Sequence, residues 1–201
     1  RDGALPLEVK DVSISFAGIR ALDHVSIDVG PGEIVGLIGG NGAGKSTLLA
    51  CISGHLQPDD GEIHVCGKDV VGLPPEFRPE LGLRRTFQDA RLFPGLTVTE
   101  AVMAALDRES RSTSLSALVR APWVRSAELS KQAAAREVID SFGLSDWAAS
   151  LTGDLSTGTR RVCELAATVA SNPDVVLLDE PTAGLAQREV EASLPILRSL
   201  R

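Results

Sequence analysis

No stretch of the sequence approaches the roughly 18 consecutive apolar residues that a membrane-crossing helix requires, so no segment is expected to span a bilayer. Basic charge is also short: 20 Lys and Arg against 27 Asp and Glu leave a net charge of −7, which argues against a general nucleic-acid binder. Cysteine is sparse, and Cys51, Cys66 and Cys163 are scattered, odd in number and without a C-x-x-C pair. That pattern excludes a disulfide framework and a zinc site, and it reads as small buried residues in a reducing compartment. His24, His55 and His64 lack metal-ligand spacing and read as structural or surface residues. No secretory signal is recognised. The sequence opens on Arg1 rather than Met, so its true start is expected upstream.

What is present is an ordinary globular composition. The 201 residues are 43% hydrophobic and 23% charged, enough for one domain, or one with a subdomain, around a core. Its most informative stretch is Gly39-Gly40-Asn41-Gly42-Ala43-Gly44-Lys45-Ser46-Thr47, which fits G-x-x-x-x-G-K-[ST] from Gly39 to Ser46. The apolar run Ile34-Val35-Gly36-Leu37-Ile38 predicts a short buried strand before it, and residues 45–53 predict a helix after it. A strand, a glycine-rich turn and a helix start together make a phosphate cradle. Backbone N–H groups approach the oxygens closely where side chains are absent, and the helix start adds partial positive charge. Lys45 is expected to reach the β- and γ-phosphates, and Ser46 to ligate Mg²⁺.

Around this loop, residues 7–16 and 25–29 alternate in polarity and predict antiparallel strands, and residues 62–66 predict another after the turn at 57–61. Phe16 ends the first of these. It is either an exposed ring able to stack on a purine or a core residue closing a strand. Residues 81–88 predict a strand ending in Gln88, whose amide either ligates Mg²⁺ and holds a water or is simply solvated. Thr97-Val98-Thr99-Glu100 fits a capping box, with Val98, Val102, Ala105 and Leu106 following at helical spacing. Residues 107–126 read as a loop or broken helix. Arg108, Arg111, Arg120 and Arg125 form a solvated or docking face there. Residues 128–142 predict a helix ended by Gly143.

A further helix opens at residues 155–161, with Val162, Leu165, Ala166 and Val169 on its buried face and Asn172-Pro173 at its end. Ser156 is either its N-cap or, with the Gly158 amide, a phosphate ligand. Val175-Val176-Leu177-Leu178 predicts a buried strand ending in Asp179 and Glu180. The first of these acids is suited to holding Mg²⁺ and the second to activating a water.

These pieces, in this order, resemble the ATP-binding cassette (ABC) ATPases over nearly the whole chain. Residues 39–47 match the phosphate loop, Gln88 the Q-loop glutamine, residues 155–161 the signature motif and residues 175–180 the second acidic motif. Ala183-Gly184-Leu185-Ala186 matches the D-loop. Within that family, Phe16-Ala17-Gly18-Ile19-Arg20-Ala21-Leu22, Arg85-Thr86-Phe87-Gln88 and Arg91-Leu92-Phe93-Pro94-Gly95-Leu96-Thr97-Val98 resemble the branched-chain amino acid importer ATPases. Departures are Gly40, where proline is common, Thr157 and Thr159 in the signature, and Ala186 in the D-loop.

The resemblance implies an α/β fold, a P-loop NTPase with a RecA-like core, an antiparallel β subdomain and a helical insert. It implies one domain over 1–201, with residues 1–96 and 150–201 as the core and 97–149 as the helical subdomain. The rest of a cassette, with its switch histidine, is expected beyond Arg201. It implies ATP hydrolysis with Glu180 as general base and Gln88 beside the water. ATP would lie on Gly39, Gly40, Asn41, Gly42, Ala43, Gly44, Lys45, Ser46 and Thr47, with Phe16 on the adenine. Mg²⁺ would be held by Ser46, Gln88 and Asp179. Ser156 and Gly158 would contact the nucleotide of a second ABC ATPase domain, in a homo- or heterodimer formed on ATP binding. Transmembrane permease subunits or domains would dock on the helical insert and Gln88 at the cytoplasmic face of the cell membrane, and no nucleic-acid partner is implied. Two rival readings stay open: an ABC protein outside transport, and a regulatory module that binds ATP with little hydrolysis.

Overall fold

The computed structural model describes residues 4–86, 92–107 and 122–179. They fall into two compact units, one of residues 4–85 and 173–179 and one of the described residues within 86–172.

In the first unit, β1 (Leu7–Phe16), β2 (Ile19–Val29), β3 (Asp60–Val65) and β4 (Lys68–Asp69) form an antiparallel sheet in the order β2-β1-β3-β4. The buried residues of β1 are Leu7, Val9, Val12 and Ile14. Two steps of two flank a step of three, so one extra residue must be absorbed between Val9 and Val12. The ladders to β2 and β3 both shift register in this region, and Asp11 takes up the excess with φ of 48°. This is a β-bulge. Across the β1–β2 pair, one serine hydroxyl on each strand receives an amide of the other. Asp11 N–H donates to Ser26 Oγ at 3.0 Å, and His24 N–H donates to Ser13 Oγ at 2.9 Å.

Helix α1 (Lys45–Ile52) buries Leu48, Leu49, Cys51 and Ile52 in the same cluster as Val9, Ile63 and Val65. Each such burial is worth about 1.5–3 kcal/mol for a Val, Leu or Ile. Arg78, itself buried, donates from Nε to Ile52 O at the end of α1 and from a terminal nitrogen to Val70 O. Strands β5 (Leu83–Arg85) and β6 (Val175–Leu177) pair in parallel, with Leu83, Arg84 and Arg85 opposite Val175, Val176 and Leu177. A parallel pair needs a crossover connection, and the chain between these two strands carries the second unit.

One expectation fails here. Residues 34–38 are not a strand, and Ile34, Val35 and Ile38 are 55%, 40% and 99% exposed. Apolar composition does not make a strand without a neighbour to pair with. Among the described residues no backbone hydrogen bond joins this segment to either sheet. Only Leu37 packs against the core.

In the second unit α2 (Val98–Asp107), α3 (Pro122–Ser141) and α4 (Thr157–Ala170) pack on one another. The capping box is realised in both directions. Glu100 N–H donates to Thr97 Oγ1 at 3.2 Å, and the Glu100 carboxylate accepts from Thr97 N–H at 2.8 Å. Val98, Ala101 and Val102 are buried, while Ala105 and Leu106 are half-buried. Helix α3 starts on Pro122, where the missing N–H costs nothing. It therefore includes residues 122–126, expected to be irregular; residues 108–121 lie outside the described residues. It ends in a Schellman turn at Gly143 (φ 65°), with Leu144 N–H on Ile139 O and Gly143 N–H on Asp140 O.

On α4 the buried residues are Gly158, Cys163, Leu165, Ala166 and Ala170, and Val162 and Val169 are only half-buried. The apolar stripe therefore sits about one position further along the helix than the sequence periodicity suggests. Burial pushes the Cys163 thiol up to about 11 and also raises Cys51. None of the three cysteines is in a disulfide. Among the described residues no helix is long and apolar enough to cross a membrane.

The Thr97 amide and hydroxyl hold the Glu100 carboxyl below its usual value. A depressed folded value contributes stability that is present above the unfolded value, about 4.3, and is lost as pH falls through the folded one. Thr97→Ala should cost about 1 kcal/mol at neutral pH in urea denaturation, and Glu100→Gln should flatten the stability loss below about pH 4.5.

Candidate functional site

The site begins at an uncapped helix start. Gly44 is the N-cap of α1, with φ of 87°, and no side chain caps the helix. The first intrahelical bond runs from Leu48 N–H to Gly44 O at 2.8 Å. The amides of Lys45, Ser46 and Thr47 therefore precede the helical ladder, as the first N–H groups of any helix do. Together with the helix dipole they form an anion site.

Gly44 is buried against β2: a Cβ there would lie 2.5 Å from Ala21 O and 2.8 Å from Leu22 Cδ2. Positive φ and crowding exclude other residues together. Gly39, Gly40, Asn41, Gly42 and Ala43 are exposed ahead of it, and Ala43 N–H closes a turn on Gly40 O at 3.2 Å. Lys45 folds back over this turn, its Nζ donating to Gly39 O and Gly40 O at 2.7 Å each. The Ser46 residue is exposed in the first helical turn, and Thr47 is half-buried.

Phe16 is 44% exposed at the end of β1, so the strand-closing core role is excluded for it. Asp179, two residues past β6, is paired with Arg85, NH2 to Oδ2 at 3.0 Å; the side chains are 11% and 14% exposed. Arg85 NH1 also donates to Ser53 Oγ at 2.8 Å. The sequence named Arg85 only as the start of the stretch 85–88, and gave it and Ser53 no role in the site. The available signal was a pair of arginines, Arg84 and Arg85, closing a strand of three residues, a costly place for charge unless it has a partner. The described residues hold no cluster of three His, Cys, Asp or Glu side chains suited to a metal. A hydroxyl such as Ser46 and a carboxylate such as Asp179 fit magnesium, which takes few hard protein oxygens and fills its shell with water and phosphate.

In the second unit Ser156 is the N-cap of α4. Its Oγ accepts from Thr159 N–H at 3.1 Å and lies 2.9 Å from Thr159 Oγ1. Gly158 is buried in the first turn. Arg160, in the same turn, clamps the incoming chain by donating to Thr152 O, Gly153 O and Leu155 O at 2.8–3.2 Å. Sequence reading gave Arg160 no role. Gln88, Glu180 and residues 183–186 lie outside the described residues, as do Arg108, Arg111, Arg120 and the Arg125 side chain.

A glycine-rich turn feeding an uncapped helix start, with a lysine folded over it, defines a phosphate-binding loop of the P-loop NTPase class. A family model described as "ABC transporter" matches residues 22–183, and the chain belongs to that family. As such it is an ATP-binding subunit of an ABC transporter and an ABC-type ATP hydrolase. It is similar to the high-affinity branched-chain amino acid transport ATP-binding protein BraF of Pseudomonas aeruginosa. The identity is 33% over 195 residues, covering 97% of this chain and 76% of that protein. It is also 35% identical over 198 residues to the ribose import ATP-binding protein RbsA of Cereibacter sphaeroides, covering 98% of this chain and 37% of that one. Among solved structures, it resembles the dimeric post-hydrolysis state of the ATP-binding cassette MJ0796 bound to ADP and Pi. The TM-score is 0.78 and the identity 25%, over 96% of this chain and 82% of that one.

Gly44→Ala tests the crowded helix start. The substitution forces a Cβ against Ala21 O at an unfavourable φ, which costs about 1–3 kcal/mol. Urea denaturation should show that loss, and calorimetry a weakened nucleotide affinity.

Proposed function

We propose that the chain is the ATP-hydrolysing cassette of an importer for branched-chain amino acids or related small solutes, acting at the cytoplasmic face of the cell membrane through permease subunits. The observation that carries the solute class is the alignment with BraF, which runs over 97% of this chain and 76% of that protein. The ribose import relative aligns over only 37% of its own length, and its comparable identity makes a sugar importer the second reading.

In this reading Lys45 exchanges the Gly39 and Gly40 carbonyls for the β- and γ-phosphates, and the first amides of α1 hold the same anion. The exposed Phe16 ring offers a stacking face to adenine. Ser46, Gln88 and Asp179 supply the protein oxygens for Mg²⁺, which when bound offsets the phosphate charge. Glu180 takes the proton of the attacking water, which Gln88 orients. Ser156 and Gly158 meet the nucleotide of a second cassette, a pairing for which the dimeric MJ0796 structure is the model. The organisation proposed is one cassette with residues 97–149 as its helical subdomain.

Lys45→Ala removes a charge-assisted contact of about 1.5–3 kcal/mol, so Mg-ATP affinity in calorimetry should fall at least tenfold. Unchanged affinity would put the phosphates elsewhere.

In vesicles carrying the chain with its permease subunits, ATP should drive uptake of labelled leucine and not of labelled ribose. Glu180→Gln should lower turnover by about 10²–10⁴ while ATP binding persists. Ribose uptake instead would select the second reading, and near-wild-type turnover of the Gln variant would move the base to another residue.

A further inference from the structure

We propose that Arg85 is a positioning residue for the metal carboxylate, tying Asp179 to the C-terminal end of α1, the helix that opens on the phosphate loop. The proposal rests on the reading of Asp179 as a magnesium ligand. Arg85 ends β5 directly opposite Leu177 in the parallel ladder, and Asp179 follows two residues later. The guanidinium spans two partners, with NH2 on Asp179 Oδ2 at 3.0 Å and NH1 on Ser53 Oγ at 2.8 Å.

Ser53 is 3% exposed, and its hydroxyl donates in turn to Leu49 O, inside α1, at 2.7 Å. The tie thus runs from helix backbone through serine and arginine to the carboxylate, with little water to compete for it. It engages Oδ2 and leaves Oδ1 for the metal shell.

A paired charge at this depth is a poor device for stability alone, because desolvation offsets most of the attraction. It does impose direction. The planar fork of arginine fixes two hydrogen bonds at once, which the point charge of lysine does not reproduce. Magnesium tolerates little departure from octahedral geometry. A carboxylate held at a set angle to the helix therefore binds the metal better than one free to rotate.

The test uses the full chain and a fluorescent ATP analogue, titrated in chelator and across a range of MgCl₂, with thermal melting as a check of folding. Arg85→Met should raise the magnesium concentration for half-maximal binding about tenfold, while affinity in chelator stays within about twofold of wild type. Ser53→Ala and Arg85→Lys, which each break one arm of the tie, should shift the same midpoint in the same direction by a smaller factor. If Arg85→Met does not fold, these two variants decide.

An unchanged magnesium midpoint overturns the proposal. So does a shift to lower magnesium, which would make Arg85 a competitor of the metal, or an equal loss of affinity with and without magnesium, which would make it purely structural. Asp179→Asn separates this from the underlying reading. If that variant loses the magnesium dependence while the Arg85 and Ser53 variants keep it, only the tie fails. If Asp179→Asn keeps it, the assignment of Asp179 as a ligand fails, and the proposal with it.

Discussion

The nucleotide end of the first unit depends on a single crowded contact, the approach of the Ala21 carbonyl to Gly44. Because no side chain fits between them, the start of α1 sits directly on β2 and keeps its left-handed N-cap. That position in turn depends on the bulged hairpin. The extra residue at Asp11 and the serine hydroxyls that receive amides across the β1–β2 pair set the course of β2 as it passes the helix. The apolar residues of α1 then lock the same relationship from the other side of the core. An anion site made mostly of backbone needs such support, since amide donors are useful only if their directions are held.

At its other end the same helix is gripped by two arginines of different character. Arg78 is spent on backbone carbonyls, at Ile52 and Val70, and works as a bracket. Arg85 faces a carboxylate as well as a hydroxyl. The short helix is thus held at both termini by residues distant in sequence. This suits a segment of only 8 residues, too short to be stable by its own hydrogen bonds.

Features with local chemical signatures were legible in the sequence. The glycine-rich turn with its helix start, the Thr97–Glu100 capping box, the Gly143 helix stop and the extent of β1 each depend on residues a few positions apart, and each stands where its pattern put it. What was not legible depends on partners. Residues 34–38 have the composition of a buried strand, but a strand is a relation between two segments, and composition names only one. Arg85 and Asp179 lie 94 positions apart and meet only through the parallel register of β5 and β6. Ser156 carried two readings. The structure shows its hydroxyl capping α4 by accepting from the Thr159 amide. On α4 the apolar side chains suggested a stripe through Val162 and Val169, whereas the buried face runs through Cys163, Leu165, Ala166 and Ala170.

The depth of Cys163 has a practical corollary in thiol chemistry. With its ionisation pushed up to about 11, the thiolate fraction at neutral pH is on the order of one in ten thousand, and the thiolate is the reactive form. Cys51 is buried in the last turn of α1 and shifted in the same direction. Both are poor targets for maleimides and for peroxide, and Cys66, only partly covered, is the more accessible of the three. Replacing that one residue leaves a chain into which a single reporter cysteine can be placed wherever distances are to be read spectroscopically, with the two interior thiols left untouched.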